Sequence, residues 1–483
     1  MRRFDLFLVM LLIFAIILSS CVVRGDRESL YTSNETYSAF IHVNVIPMTQ
    51  EIILDDQTVL IAGDRILAIG PTNRVSIPPD AKIVDGDGTY LMPGLADMHM
   101  HTNQNWDSDV WPVSPLTLYL ANGVTTIRDF GPSGDKLTYA LQWREEIQAG
   151  TRNGPTIYTS GKILFVSPLV DPAGLVEENH LLGFDFVKLY SYLTPEDTRD
   201  ALRATNELGM YSAGHIPYTV GLAQVLEYGI DEIAHIEELM SELLEFDRDQ
   251  RLSPDGWLQY LIQSAMAQLD LVMGFNEEVF AREHHDAFVL ILEELSFRST
   301  PICTTLVVDE VLMQKAFDLG DLLDHPESAY LPTEYIELLR SGMEKHQIQL
   351  RGKKNLAPYK YGIDQWLLRQ LHQAGIPLLL GTDSGVLAVI PGYSIHDELR
   401  ILVENGFSPY EAIATGTINA AAVVEKMVGD GDIGTIEVGK RADLLLMNEN
   451  PLEDISAIQD LRGVMAGGRW YSREVLDQMV SLK

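Results

Sequence analysis

Cysteine and basic residues are scarce in this 483-residue chain, and each scarcity argues against a class of protein. The two cysteines, Cys21 and Cys303, are too few for the disulfide framework that stabilises small secreted domains. Only 35 Lys and Arg residues stand against 69 Asp and Glu, so the formal charge of -34 repels nucleic-acid phosphates. With 46% apolar residues the chain can bury a large core. The composition predicts a globular protein without a nucleic-acid partner.

The N-terminal apolar run, residues 6–18, is shorter than the ~20 residues that a helix needs to span a bilayer. It follows a short basic start and precedes "LSSC", the order typical of a secretory signal peptide. Because this ending resembles a bacterial lipoprotein cleavage site, we expect residues 1–20 to be a signal peptide and Cys21 to be lipidated, with a linker over 21–36. The alternative is an ordinary secretory signal with an incidental cysteine. The lipoprotein reading predicts an extracytoplasmic protein anchored to a bacterial membrane, at the outer membrane or periplasmic face in a Gram-negative source.

The rest of the chain changes character near residue 93. Before it, short Ile- and Val-rich segments separated by turn signals are typical of antiparallel strands. After it, eight strand-like runs alternate with helix-length segments, the pattern of a (β/α)8 TIM-type barrel. We therefore expect an α/β fold. The predicted parts are a discontinuous β-sandwich domain over 37–92 and 437–473, and a barrel over 93–436 with helical insertions near 237–299 and 309–365.

Histidines and one aspartate close several of the predicted strands. In "LMPGLADMHMHT", residues 91–102, His99 and His101 share a strand face because side chains alternate along a strand. Alone, the pair is equally compatible with two core histidines bonded to backbone carbonyls. His215, His235 and Asp383 each end a further apolar run. Since barrel strands end at one rim and these side chains are ligands that zinc prefers, the set predicts a divalent metal site.

Lys188 lies inside the apolar segment "FDFVKLY", where an ammonium ion without a partner would be costly. Burial lowers the pKa of a lysine and leaves a neutral amine that can add carbon dioxide, forming a carbamate able to bridge two metal ions. The alternative is a salt bridge from Lys188 to a barrel acid such as Asp129. Arg128 and Asp129 are themselves compatible with a structural ion pair.

These motifs, together with "GVTTIRDFG", "GTDSG" and the C-terminal "GTIEVGKRADLLLMNENP", resemble the amidohydrolase superfamily over almost the whole chain. The similarity is to the branch of prolidase-type dipeptidases and imidazolonepropionase-related proteins. The resemblance implies two divalent ions, zinc in the first instance. It implies that one ion is held by His99, His101 and Asp383, the other by His215 and His235, and both by Lys188 as N6-carboxylysine. Deaminase branches with one metal lack that lysine, so Lys188 favours a hydrolase.

The expected reaction is attack on a carbonyl by a hydroxide that bridges the two ions, because bound metals lower the pKa of water. Asp383 is the expected catalytic residue, carrying a proton to the leaving amine. Tyr218 is a candidate to bind the substrate, although a tyrosine at the rim is often only packing. The predicted substrate is a small molecule or short peptide with an amide bond. Hydrolysis of a cyclic amide or lactone and a non-catalytic binding role are the alternatives, and homo-oligomerisation stays open.

Overall fold

The computed structural model describes residues 36–108, 110–132, 137–349, 355–386 and 388–482. The predicted signal peptide and Cys21 lie outside these residues. Within the described part, no helix is both long and apolar enough to cross a membrane.

The strands of the described residues fall into an N-terminal group, a central group and a C-terminal group. The N-terminal strands are β1 (Tyr37–Val45), β2 (Leu54–Ala62), β3 (Arg65–Pro71), β4 (Lys82–Asp85) and β5 (Tyr90–Pro93). The central strands are β6 (Leu95–Met100), β7 (Val124–Asp129), β8 (Thr156–Thr159), β9 (Leu164–Val166), β10 (Phe186–Tyr192), β11 (Tyr211–Gly214), β12 (Glu232–Ala234), β13 (Ile302–Cys303) and β14 (Leu378–Leu379). The C-terminal strands are β15 (Leu444–Met447), β16 (Leu461–Ala466) and β17 (Arg469–Ser472).

Helices occupy most of the connections between the central strands. Up to β12 they are α1 (Pro115–Ala121), α2 (Tyr139–Ala149), α3 (Pro172–Leu182), α4 (Pro195–Leu208) and α5 (Leu222–Tyr228). Between β12 and β14 they are α6 (Met240–Leu243), α7 (Pro254–Gln268), α8 (Glu277–Glu283), α9 (His285–Arg298), α10 (Val307–Phe317), α11 (Leu319–Asp324), α12 (Thr333–Gln349) and α13 (Leu356–Gln373). The last are α14 (Ser394–Glu404), α15 (Pro409–Thr415), α16 (Ile418–Val428) and α17 (Arg473–Met479), and short 3-10 helices lie at Gln104–Asp107, Ile236–Leu239, Pro326–Tyr330 and Ile455–Gln459.

The N-terminal and C-terminal strands share one sheet, in the order β17-β16-β15-β5-β1-β2-β3, with β4 also paired to β1. The join is the antiparallel pair of β5 and β15, in which Leu91 faces Leu446. The expected β-sandwich is only partly seen, because β1 pairs with β2 along one edge and with β4 and then β5 along the other. That strand keeps the sheet continuous, and register shifts between Phe40 and Val45 interrupt its regular pairing.

The central strands confirm the expected α/β class, since they pair in parallel and alternate with helices. They form two sheets, β6-β7-β8 and β14-β13-β12-β11-β10-β9, and one continuous closed sheet is not formed by the described residues. Single parallel bridges connect the two sheets, Met100 with Ser384 and Ser160 with Phe186. The ladders are short here because Thr305 (φ 55°) and Asp383 (φ 54°) turn into the left-handed region soon after β13 and β14.

Two connections are much longer than the others and carry four helices each. The β12–β13 connection holds α6 to α9, and the β13–β14 connection holds α10 to α13. The first begins at His235, a candidate ligand, and the second begins beside Thr305, whose hydroxyl lies 2.8 Å from His235 Nδ1. Both connections therefore start next to the candidate site. Beyond residue 473, where the small domain was expected to end, α17 packs against β16, β17 and α1 and buries Leu476.

A fully buried ion pair links β7 to β12 inside the parallel strands. Arg128 donates from Nη1 to Glu232 Oε2 at 2.8 Å and from Nη2 to Oε1 at 2.5 Å, and its Nε donates to the carbonyl of Met98 at 2.8 Å. Tyr211 donates a further hydrogen bond to Glu232 at 3.0 Å. The pairing of Arg128 with Asp129 considered from the sequence is therefore wrong, because Glu232 satisfies the guanidinium in bidentate geometry.

Candidate metal centre

Side chains alternate along β6, so His99 and His101 lie on one face of that strand. Both point toward Asp383, which lies in the loop after β14. His101 Nε2 lies 3.1 Å from Asp383 Oδ1, and His99 Nε2 lies 3.5 Å from the same oxygen. One ligand atom from each of the three residues falls within 4.8 Å of the others. His99 is buried, whereas His101 and Asp383 are half-buried and reach the open side. These three side chains could hold one metal ion.

The histidines that follow β11 and β12 extend this group. The His99 and His235 rings lie 4.3 Å apart, and the His235 and His215 rings lie 4.9 Å apart. His215 donates from Nδ1 to Glu238 at 2.6 Å, and His235 Nδ1 lies 2.8 Å from the hydroxyl of Thr305. With Nδ1 engaged in both residues, Nε2 is the nitrogen left for a ligand.

Lys188 is buried on β10 within the same group. Its Nζ lies 4.6 Å from the centre of the Phe130 ring, and Phe130 stacks on His99 at 3.8 Å. Desolvation lowers the pKa of Lys188 to about 8, although the charge of Asp383 opposes this shift. The alternative salt bridge to Asp129 is not formed, since that carboxylate accepts hydrogen bonds from Thr102 at 2.5 and 3.1 Å.

Several buried polar atoms of this group lack a hydrogen-bond partner among the described residues. They are both ring nitrogens of His99, Nζ of Lys188 and Oδ1 of Asp383. An unsatisfied buried polar group costs about 1–3 kcal/mol, so such atoms in one place favour a missing binding partner. Burial also lowers the pKa of His99 and His215 well below its usual value and that of His235 to about 3. Neutral imidazoles are the form that binds metal, so the donor set fits divalent cations.

Three supporting side chains were missed by the sequence reasoning. Asp97 accepts hydrogen bonds from the backbone N–H and hydroxyl of Thr382, at 3.1 and 2.6 Å, and so fixes the approach of β14 to β6. Glu238 orients His215 and Thr305 orients His235; these two residues are the outer histidines of the group. Asp97 could have been found from its spacing, since it lies two residues before His99 on the same strand face. Glu238 had a weaker signal, an acidic pair directly after "AHI".

Aromatic side chains line the side of the site next to β10 and β11. Tyr190 lies 4.2 Å from the His215 ring and 4.7 Å from the ring of Phe165, which is 43% exposed. Tyr218 is half-buried, 5.9 Å from Tyr192 and 5.4 Å from Trp257. These distances suit packing between the rings, while the exposed faces offer an apolar surface beside the histidines. Tyr218 therefore lies near the site as part of an aromatic wall.

Comparisons with known proteins find relatives of similar sequence and fold. Residues 336–471 match the model of the amidohydrolase family. Ochratoxinase of Aspergillus niger is 25% identical over 401 residues, which cover 77% of this chain and 73% of that enzyme. Imidazolonepropionase of Alkaliphilus metalliredigens strain QYMF is 23% identical over 412 residues, covering 82% and 85%. The chain is therefore similar to the amidohydrolase family, in agreement with the resemblance that its motifs carry. A crystal structure of a Xaa-Pro dipeptidase with bound methionine shares the fold, with a TM-score of 0.61, 18% identity and coverage of 90% of this chain and all of that one.

These similarities confirm the expected enzyme class, a hydrolase that acts on carbon–nitrogen bonds. Metal ions are typical of the amidohydrolase family, and the grouping of His99, His101 and Asp383 agrees with such use.

Proposed function

We propose that this protein is a binuclear metal-dependent amidohydrolase that cleaves an amide or peptide-like bond. The observation that carries the proposal is the convergence of His99, Lys188 and Asp383, whose buried polar atoms have no partner among the described residues. A protein that needed no ligand there would have no compensation for burying them.

In this proposal His99, His101 and Asp383 would hold one ion, and His215 and His235 would hold the second. Lys188, as a carbamate formed with carbon dioxide, would contribute to both sites. The low pKa of Lys188, about 8, supports this role because the neutral amine is the form that reacts. Zinc is the first candidate for both ions, and when bound they polarise a substrate carbonyl and activate water.

The chain itself supplies proton transfer and orientation. Asp383 is the catalytic residue, because its Oδ1 atom, which accepts no hydrogen bond from the described residues, can take the proton of the attacking water and return it to the leaving nitrogen. Glu238 and Thr305 keep the Nε2 atoms of the outer histidines directed at the site. Tyr218, which packs against Tyr192 and Trp257 in the aromatic wall, is the candidate hydrogen-bond donor to the substrate carbonyl.

The aromatic wall favours a substrate with an apolar or aromatic group next to the scissile bond. Tyr190 and Phe165 present partly exposed ring faces within reach of His215. A dipeptide or an N-acyl amino acid meets this requirement, and a dipeptide agrees with the fold shared with the Xaa-Pro dipeptidase.

The test combines metal analysis with a substrate screen. We expect the purified, zinc-loaded protein to contain about two equivalents of zinc and to hydrolyse members of a panel of dipeptides and N-acyl amino acids. A cyclic amide and a lactone in the same panel test the alternative substrates. Absence of bound metal after purification in zinc, with no hydrolysis of any compound, would contradict the proposal and favour a non-catalytic binding protein.

We further infer that the two parallel sheets function as one (β/α)8 barrel. The bridges Met100–Ser384 and Ser160–Phe186 support this, because they give both edges of the three-stranded sheet a parallel neighbour. The corresponding domain division is a barrel over 93–436 and a small β domain over 37–92 and 437–473. Limited proteolysis that released residues 437–473 without loss of the barrel's stability would contradict the joint small domain.

The lipid anchor at Cys21 completes the proposal and places the enzyme outside the cytoplasm. The experiment is cell fractionation of a Cys21→Ser variant expressed with its own N-terminus. We expect this variant in the soluble fraction and the unchanged chain in the membrane fraction. Retention of the variant in membranes would contradict lipidation at this residue.

A further inference from the structure

A second group of charged side chains borders the candidate metal centre, on the side of β12 and β13. Lys360 on α13 contacts three carboxylates: Glu237 at 2.6 Å, Asp309 at 2.7 Å and Asp364 at 2.8 Å. Asp364 is almost completely buried, Asp309 is 12% exposed, and Glu237 reaches the rim with 45% of its side chain exposed. Three acids surround one lysine, and burial raises the pKa of both Asp364 and Asp309.

One carboxylate oxygen of this group, Oδ1 of Asp364, is buried and lacks a hydrogen-bond donor among the described residues. Lys360 donates hydrogen bonds to Asp309 Oδ1 and Asp364 Oδ2 and forms an ion pair with Glu237, so one cation serves three carboxyl groups. Burial raises the pKa of Asp364 well above its usual value, because a buried carboxylate oxygen without a donor is costly. A cationic donor at this position would stabilise the ionised carboxylate.

A small cavity connects this group to the metal centre. Its volume is about 20 Å³, enough for one group of the size of water or ammonium. Asp309, Asp364 and Glu237 of this group line the cavity, and so do His235 and Asp383 of the candidate metal centre. A cation placed there lies directly beside the reacting centre.

We propose that this cavity binds the free ammonium group of the substrate, so that the enzyme acts on amides whose acyl part carries an unblocked amine. The inference rests on the proposed function and adds its substrate class. In an aminoacyl amide the amine is two bonds from the scissile carbonyl carbon, which matches a cavity that shares His235 and Asp383 with the metal centre. Asp364 and Asp309 bind the amine, and Lys360 holds the carboxylates together.

The first test uses two probes of equal size that contain no bond to hydrolyse. 2-Phenylethylamine carries an ammonium group at neutral pH, and 2-phenylethanol carries a hydroxyl group in its place. Binding to the zinc-loaded full chain is measured by calorimetry. We expect the amine to bind about tenfold or more tightly, the ratio typical of one charge-assisted hydrogen bond. Equal affinities, binding of neither probe, or displacement of the amine by a third equivalent of zinc would overturn the proposal.

Matched variants test which carboxylates cause the preference for the amine over the alcohol. Asp364→Asn and Asp309→Asn keep the shape of each side chain and remove its charge, and we expect the amine-to-alcohol ratio to fall toward one. Glu310→Gln is the control, because Glu310 lies next to Asp309 in sequence but contacts Tyr361 and Arg400 instead of Lys360. If a variant does not fold, the affinities of the two probes for the unchanged chain still test whether the cavity binds an ammonium group. A ratio unchanged in both Asp variants would contradict the assignment.

Hydrolysis separates this inference from the proposed function. L-Phenylalanine p-nitroanilide and its N-acetyl derivative differ only in the free amine. Preference for the unblocked compound, lost in Asp364→Asn with zinc content unchanged, supports the cavity. Equal hydrolysis of both compounds overturns the cavity while the amidohydrolase function stands. Probe binding with the expected ratio but no hydrolysis of any amide leaves the cavity standing and contradicts the function.

Discussion

Two buried polar clusters lie close together among the parallel strands, and they differ in whether their atoms are satisfied. Around Arg128 and Glu232, the guanidinium and carboxylate pair with each other and with the Met98 carbonyl and the Tyr211 hydroxyl. Around His99 and Lys188, nitrogen atoms are buried without a hydrogen-bond partner in the part of the chain that the structure describes. The first cluster is complete without a ligand, so its role is structural. The second is incomplete, and this difference identifies the functional site without reference to any relative.

Removal of the proposed ions is the strongest test of the difference between the two clusters, and it should have the largest effect. If each ion is present at one hundred times its dissociation constant, it stabilises the folded state by about 2.7 kcal/mol, so two contribute about 5 kcal/mol. Chelation should therefore abolish hydrolysis and strongly lower the free energy of unfolding, measured by denaturant titration. Added zinc should restore both. Unfolding curves that coincide with and without chelator would contradict the distinction between the clusters.

The next largest effect is expected from Lys188→Ala. Loss of the bridging group should reduce kcat/KM by about 10³-fold, as for removal of one group that stabilises the transition state through charge. Added acetate or another short carboxylic acid should restore part of the activity, because it can replace the carbamate. The control is Lys426→Ala, whose amine lies on the surface beside Asp231. Full activity of the Lys188 variant without added acid would reject the carbamate.

Glu232→Gln tests the satisfied cluster. Removing one charge leaves Arg128 buried without its counter-ion, which should lower the free energy of unfolding by about 3 kcal/mol. Zinc content per folded molecule should stay the same, since no proposed ligand is changed. Denaturant titration and metal analysis of the same preparation give both quantities.

Glu238→Gln is the matched variant in the other cluster. It should weaken zinc affinity about 10- to 100-fold, because Glu238 orients His215. If Glu232→Gln released zinc while Glu238→Gln did not, the roles assigned to the two clusters would be reversed.

The smallest effect concerns His396, a half-buried histidine on α14 that lies away from both clusters and 3.2 Å from the side-chain oxygen of Asn122. Burial lowers its pKa from 6.5 to about 4. The unfolded chain then binds more protons between these values, so the stability contribution is complete above pH 6.5 and is lost as the pH falls toward 4.

The free energy of unfolding should fall between pH 7 and pH 5 in both proteins. In His396→Gln the fall should be smaller by about 1 kcal/mol, a figure reduced because His396 is only half-buried. Denaturant titration at both pH values, with and without chelator, measures the difference. Dependence of this difference on zinc would show that His396 belongs to the metal centre.

The sequence was most informative where a local rule applied. Alternation along β6 predicts that His99 and His101 share a face, and apolar runs mark the strands that carry His215, His235 and Asp383. It was least informative where distant segments meet. The contact of Lys360 with Glu237 depends on how α13, in the connection between β13 and β14, packs against the residues after β12. No local sequence pattern predicts that packing. The left-handed conformations of Thr305 and Asp383, which shorten the ladders, were also hidden because neither residue is glycine.

The pairing of β5 with β15 constrains the order in which the molecule can be assembled. Strand β5 emerges from the ribosome early, but its partner is made only after the whole set of parallel strands. Such distant pairing is slow to form, because a long loop must close before any contact is gained. The first strands must therefore wait, unpaired on one edge, until synthesis is nearly finished. A chain interrupted before residue 444 would leave that edge open to strands of other molecules.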